Sequence, residues 1–212
     1  MPGGIFDSSK TRVVPVFDAL AAREDKWVLA LLELAEHPSG KPAPVRDLDL
    51  TFDSTNTENR HWGKEEWGMA PPTSLLAWVI QNPASLKLKP PTGIAPRDAL
   101  LNGDPATREE ARKLLEERPI GRVWYVLEGR TYPDAVIETP DALIVIEGKR
   151  TEPKPTTDTT WLSGRHQIWR HIDAAWECRG HRKVFGMYIV EGDKGARKPL
   201  FPKCGRTALK TI

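Results

Sequence analysis

The chain has 212 residues, of which 39% are hydrophobic and 28% are charged, and its net charge is +2. These values are ordinary for a soluble globular protein with one large domain, or one domain with an appended lobe. No stretch approaches the roughly 18 apolar residues that span a bilayer, so no transmembrane helix is expected.

The cysteines and the first residues indicate a compartment. Cys178 and Cys204 are too few and too unpatterned for a disulfide framework. Residues 1–4 lack the basic-then-apolar pattern of a signal peptide. We therefore expect a reducing, cytoplasmic environment.

The first half of the chain is predicted to be helical or irregular. Apolar positions recur at helical spacing over residues 18–36, and a His-Pro-Ser-Gly sequence ends the pattern. A short buried helix is predicted over residues 74–81, before an Asn-Pro stop. We assign residues 1–105 to an N-terminal portion that packs on a core formed by residues 106–212.

The second half alternates helices and strands. Residues 107–117 are predicted to form a helix with a capping box, in which Thr107 is the N-cap and Glu110 follows three residues later. The remaining predicted elements are three strands, a helix and a fourth strand, at residues 123–127, 134–138, 142–147, 164–177 and 184–190. The expected fold is α/β, with a mixed sheet flanked by helices.

The second and third predicted strands form a hairpin whose register follows from its turn. With residues 140–141 in the turn, Asp134 falls directly opposite Glu147, with Cβ atoms about 5 Å apart. Lys149 is two residues further on and so projects from the same face. Two carboxylates at that separation favour a divalent cation between them, and oxygen ligands suit Mg²⁺.

A third carboxylate extends this row in one register. If residues 129–133 form the loop from the preceding strand, Glu128 pairs with Asp134 and becomes a further metal ligand. Asp141 also follows a proline, but it lies at the hairpin tip, roughly 20 Å from Glu147, and serves the turn. A salt-bridged surface hairpin is the alternative to a site. The cluster of acids and a lysine at the end of apolar strands favours the site.

The segment from Pro133 to Lys149 resembles the active-site signature of the PD-(D/E)xK nuclease superfamily, which has the restriction-endonuclease-like fold. The core order of that family, helix–three strands–helix–strand, is similar to the order predicted for residues 107–190. The resemblance implies a nuclease whose expected substrate is DNA rather than RNA, with Mg²⁺ held by Asp134 and Glu147 and Mn²⁺ able to replace it. It also implies that Lys149 positions or helps to deprotonate the attacking water, and that Gln167 on the next helix is a further catalytic residue.

Residues suited to phosphate contacts flank the predicted site. Arg150 and Thr151 begin the Thr- and Pro-rich loop after the lysine, and Arg165 and Arg170 lie on the following helix. Three histidines in this region do not have the spacing of a zinc site: His166, His171 and His181. We expect the first two to face the cleft or solvent.

Two other functions remain open from the sequence. One is a catalytically silent nucleic-acid-binding or assembly module on the same fold, and the other is a metal-dependent hydrolase of a different phosphoester. The joint presence of Asp134, Glu147 and Lys149 favours a nuclease, since a silent copy need not keep all three. The N-terminal portion could cover the cleft, contact the substrate or mediate a homodimer.

Overall fold

The computed structural model describes residues 13–22, 27–28, 31, 60–63, 67–86, 88–117, 120–121, 127–149, 159, 161–162, 164–190 and 209–211. The α-helices bounded within these residues are α1 Val14–Ala21, α2 Thr73–Gln81, α3 Ala95–Leu101, α4 Pro105–Glu117 and α5 Gln167–Cys178, and a 3-10 helix spans Pro83–Leu86. The strands are β1 Arg60–Trp62, β2 Ala135–Glu138, β3 Ala142–Lys149, β4 Lys183–Val190 and β5 Leu209–Thr211. The protein is therefore α/β. None of the helices in these ranges is long and apolar enough to cross a membrane.

The strands form one mixed sheet in the order β1-β2-β3-β4-β5. Strand β2 is antiparallel to both β1 and β3, whereas β4 is parallel to β3 and antiparallel to β5. A parallel pair needs a crossover connection, and α5 lies within the connection between β3 and β4. The sheet thus has helices on both faces, with α1 on one and α5 on the other.

Alternation along β3 divides its side chains between the two faces. Ala142, Ile144 and Ile146 pack in the cluster that contains α1. Leu143 and Val145 pack in the cluster that contains α5. An unbroken apolar run forms a strand here because both faces of the strand are covered.

Helices α2, α3 and α4 lie between β1 and β2 in the chain and have a separate core. Its buried members include Leu76, Val79, Ile80, Leu100, Ala111 and Trp161. The buried Arg97 of α3 donates a hydrogen bond from Nη2 to the carbonyl of Leu127, at 3.2 Å. Burial lowers the pKa of Arg97. This bond joins the helical insert to the segment that leads into β2.

The helix and strand that come first in the sheet layer differ from the prediction. They are α1 and β1, whereas the predicted ones are residues 107–117 and 123–127. Strand β2 is flanked by β1 and β3, so its neighbour is Arg60–Trp62 rather than residues 123–127. Of that predicted strand, residues 123–126 lie outside the described residues. Trp62 packs against Phe17 of α1, with ring centroids 5.4 Å apart, and its Nε1 donates to Asp18 at 2.8 Å. Residues on both sides of the predicted 105/106 boundary therefore contribute to one sheet.

Helix α4 begins at Pro105, so the predicted capping box at Thr107 is wrong. Asp104 is the cap, because its Oδ2 accepts hydrogen bonds from the Thr107 N–H at 2.8 Å and from the Thr107 hydroxyl at 2.6 Å. Pro105 favours this earlier start, since its ring fixes φ near the helical value and the first helical N–H has no intrahelical partner.

Asp104→Ala should lower the unfolding temperature at neutral pH, and the difference from wild type should disappear in acid. The hydrogen bonds from Thr107 hold the pKa of Asp104 below its ordinary value of 3.8. A depressed pKa stabilises the folded state above the unfolded pKa, and the stabilisation is lost as pH falls through the folded pKa. Thermal unfolding followed by circular dichroism between neutral pH and about pH 2 measures the difference. A constant difference across that range would contradict the assignment of the cap.

Candidate active site

The predicted register of the hairpin is confirmed. Ala135 pairs with Ile146 and Val136 pairs with Val145. The turn is closed by a hydrogen bond of 2.8 Å from the Thr139 N–H to the Ala142 carbonyl. Asp134 directly precedes β2, so Asp134 and Glu147 are the first residues beyond the last pair of the ladder, Ala135 and Ile146.

The carboxylate of Asp134 is bonded to the strand that carries Glu147 and Lys149. Its Oδ2 accepts a hydrogen bond of 2.8 Å from the backbone N–H of Gly148. The β2–β3 ladder stops at Ala135, and the carboxylate takes the place that a backbone carbonyl would occupy if the ladder continued. The side chain of Asp134 is thereby oriented across the end of the hairpin.

Glu147 lies on the α5 face of the sheet and is only 3% exposed. Its Oε2 lies 3.1 Å from Nε2 of His171, and Nδ1 of His171 lies 2.7 Å from Oγ1 of Thr131. A carboxylate only accepts hydrogen bonds, so Nε2 carries the proton; in the neutral ring, Nδ1 accepts from the Thr131 hydroxyl. The three side chains form a buried chain that ends on the Glu147 carboxylate.

The expectation that His171 faces the cleft or solvent is wrong, because its side chain is fully buried. It lies in the stripe Ile168, His171, Ile172 and Ala175, whose spacing places all four on one helix face. That spacing could have identified a buried histidine from the sequence. Thr131 precedes β2 in an irregular segment and had no comparable signal. His166 is the partly exposed N-cap residue of α5.

Tyr188 is the neighbour of Glu147 on the parallel strand β4. Burial raises the pKa of the Tyr188 phenol above its ordinary value of 10.0, and the negative charge of Glu147 raises it further. Tyr188 therefore stays neutral at physiological pH, and its strand position beside Glu147 is polar but uncharged.

Gly148, between Glu147 and Lys149, has no room for a side chain. A Cβ atom there would lie 2.3 Å from Cγ2 of Val13 and 3.3 Å from Oδ2 of Asp134. Val13 directly precedes α1, so the start of that helix packs against the strand that carries the candidate site.

Gly148→Ala should lower the free energy of unfolding by about 1–3 kcal/mol, because the added methyl group overpacks the contact with Val13. Urea denaturation measures the change, and Val13→Ala supplies the control because it removes the atom that the methyl group would meet. In the Val13→Ala background, Gly148→Ala should cost much less. If Gly148→Ala lowers the free energy of unfolding equally in both backgrounds, the strain does not come from the contact with Val13.

Glu128 does not lie beside Asp134, because β1 occupies that edge of β2. Its carboxylate, which is 6% exposed, instead accepts hydrogen bonds from Arg165 Nη2 at 2.8 Å and from Trp161 Nε1 at 3.2 Å. Arg170 Nε lies 3.2 Å from the same carboxylate. The predicted pairing of Glu128 with Asp134 is therefore wrong, and two guanidinium groups balance its buried charge.

Arg165 and Arg170 were expected to contact phosphates, but both guanidinium groups have partners within the protein. Arg165 is 7% exposed and also pairs with Asp173. Burial alone would lower the pKa of Arg165, but the hydrogen bonds and charges of Glu128 and Asp173 raise it. Arg170 Nη2 also approaches the carbonyl of Gly129, at 3.5 Å. The two arginines bind the start of α5 to the segment before β2.

Two further predicted site residues, Lys149 and Gln167, lie at the ends of their elements. Lys149 is the last residue of β3, and its backbone pairs with Val190. Gln167 is the first residue of α5, four positions before His171. Arg150 and Thr151 lie outside the described residues.

The chemistry available at this end of the sheet is that of two carboxylates on neighbouring strands. No group of three or more His, Cys, Asp or Glu side chains that could hold a metal ion occurs within the ranges that the structure describes. Comparisons of the chain with family models, with curated proteins and with solved structures find no match. The function is therefore argued from the geometry of Asp134, Glu147 and the residues bonded to them.

Proposed function

We propose that the protein is a metal-dependent nuclease of the PD-(D/E)xK kind that hydrolyses phosphodiester bonds in DNA. One observation carries the proposal: in the hairpin register, Asp134 and Glu147 directly follow the last paired residues, Ala135 and Ile146, and Lys149 lies two residues beyond Glu147. Two carboxylates and a lysine at one end of a buried strand pair suit phosphoryl chemistry better than they suit an apolar core.

The order of elements supports a restriction-endonuclease-like core. Helix α1, strands β1, β2 and β3, helix α5 and strand β4 follow the order helix–three strands–helix–strand. Strand β4 is parallel to β3, with α5 in the crossover. In this interpretation, helices α2–α4 are an insertion between the first and second strands of the core.

The two carboxylates fit a magnesium ion. Mg²⁺ is usually bound by one or two carboxylates and fills its other positions with water and substrate phosphate oxygens, so a third carboxylate is not required. Asp134 and Glu147 would hold the ion, and Mn²⁺ could replace it. When bound, the ion would supply charge neutralisation at the phosphate and lower the pKa of a bound water.

The protein groups would contribute orientation and hydrogen bonds. The Gly148 N–H fixes one oxygen of Asp134, and His171 fixes one oxygen of Glu147. Lys149 would donate a hydrogen bond to the attacking water or to the negative charge that develops on the phosphate. Gln167, at the start of α5, would hydrogen-bond the substrate.

The direct test is incubation of the purified protein with supercoiled plasmid, single-stranded DNA and RNA, each with Mg²⁺, Mn²⁺ or a chelator. We expect cleavage of DNA with either metal and none with the chelator. Absence of cleavage on every substrate with every metal would reject the proposal.

A silent nucleic-acid-binding module is the second candidate, and one observation favours it. Glu147 is nearly buried, and one of its oxygens is bonded inside the protein. A silent module would bind DNA with an affinity that falls steeply with salt concentration and would show no metal-dependent cleavage. The cleavage assay and a salt titration of DNA binding separate the two functions.

A further inference from the structure

We propose that His171 and Thr131 are positioning residues that set the orientation of Glu147 and thereby the affinity of the site for a divalent metal. This inference rests on the proposed function. Neither residue is a candidate for contact with substrate, because His171 has no exposed surface and Thr131 is 5% exposed. Their effect has to pass through Glu147.

The contacts form a continuous chain from the helical insert to the carboxylate. The backbones of Met69 and Thr131 exchange two hydrogen bonds, of 2.9 and 2.8 Å, so Thr131 is held by the segment that precedes α2. The Thr131 hydroxyl lies 2.7 Å from Nδ1 of His171 and holds the ring in place, while the carboxylate of Glu147, which can only accept, requires the N–H at Nε2. That N–H meets Glu147 at 3.1 Å.

His171 contacts Oε2 of Glu147 and so directs that oxygen toward α5. A ligand carboxylate held by an outer hydrogen bond keeps its orientation before the metal arrives, and loss of such a partner typically weakens metal binding about 10–100-fold. The same loss should be expected here.

A pair of threonine variants with a matched control tests this. Thr131→Val removes the hydroxyl with little change of shape, and Thr131→Ser keeps it. Thr139 is the control, since it is 2% exposed and its hydroxyl accepts a hydrogen bond of 2.9 Å from the Ala142 N–H, at the opposite end of the hairpin. Thr139→Val therefore also removes a buried hydroxyl, but far from Glu147.

The measurement is the affinity of the full chain for Mn²⁺ alone, from the electron paramagnetic resonance signal of free Mn²⁺, together with the unfolding temperature of each variant. Thr131→Val should weaken Mn²⁺ binding about 10–100-fold, and Thr131→Ser should bind close to wild type. Thr139→Val should lower the unfolding temperature without changing Mn²⁺ affinity. If Thr131 has only a structural role, Thr131→Val should lower the unfolding temperature and leave Mn²⁺ affinity unchanged, as Thr139→Val does.

A second pair keeps the test decisive if Thr131→Val does not fold. The amide nitrogen of His171→Gln can reach the position of Nε2, whereas that of His171→Asn reaches only the position of Nδ1. His171→Gln should keep more Mn²⁺ affinity than His171→Asn. If wild type binds no Mn²⁺ and cleaves nothing, the proposed function fails and this inference fails with it. Suppose instead that wild type binds Mn²⁺ and cleaves DNA, while the two Thr131 variants have equal Mn²⁺ affinities and the two His171 variants do as well. The positioning role is then overturned and the nuclease assignment stands.

Discussion

Lys149→Ala should reduce DNA cleavage by about 10²–10⁴-fold and leave the unfolding temperature unchanged. Lys149 is the terminal residue of β3, so we expect its loss to affect the reaction and not the fold. The assay is plasmid cleavage with Mg²⁺ under single-turnover conditions. Lys183→Ala is the matched control, since Lys183 is an exposed lysine at the opposite end of the same strand pair. Undiminished cleavage by Lys149→Ala would refute the assigned role.

Two substitutions of Asp134 separate its charge from its hydrogen bond in the same assay. The amide oxygen of Asp134→Asn can still accept from the Gly148 N–H, but the charge needed for a cation is lost. Asp134→Ala loses both. Cleavage should therefore be lost in both variants, with a larger loss of stability in Asp134→Ala. If Asp134→Asn cleaves DNA as fast as wild type, the role of Asp134 is limited to its hydrogen bond with the Gly148 N–H.

Glu128→Gln should lower the free energy of unfolding by about 1.5–3 kcal/mol, because it removes a buried negative charge that two arginines contact and leaves Arg165 with Asp173 as its acidic partner. Arg165 and Arg170 both contact this carboxylate, whose side chain is 4% exposed. Urea denaturation measures the loss. Glu109→Gln is the matched control, since its ion pair with Arg112 on α4 has a similar distance, 2.7 Å, but an exposed setting. It should leave the unfolding midpoint unchanged.

The same Glu128 variant also tests the sequence-based hypothesis of a third metal ligand. Under conditions where Glu128→Gln remains folded, its affinity for Mn²⁺ should match that of wild type, because the Glu128 carboxylate is bonded to arginines. A large loss of Mn²⁺ affinity would restore Glu128 as a ligand. Equal stability of the Glu128→Gln and Glu109→Gln variants would show that the buried pair contributes little.

The hairpin could be predicted from the sequence because every part of the inference is local. Pro140 and Asp141 mark the turn, and the period-two alternation of side chains then determines which residues face one another. The helix α5 and the strand β4 follow from equally local patterns of apolar residues. The position of Asp134 opposite Glu147 is a consequence of this local geometry.

The partners of Glu128 and the identity of β1 could not be found in the same way. Arg165 and Glu128 are far apart in the sequence, and no periodicity connects them. Strand β1 has three residues, too few to show an alternating pattern, and its pairing with β2 skips the whole helical insert. The predicted strand at residues 123–127 had the stronger local pattern, yet packing of Trp62 against α1 gives Arg60–Trp62 the place beside β2.

The position of helices α2–α4 between β1 and β2 has a consequence for folding. The β2–β3 hairpin joins neighbouring residues, so its closure costs little chain entropy and it can form early. Pairing of β1 with β2 must close a loop that contains the entire insert, and such distant contacts form slowly. We therefore expect the end of the hairpin that carries Asp134 and Glu147 to form through local contacts, and β1 to pair with β2 later in folding.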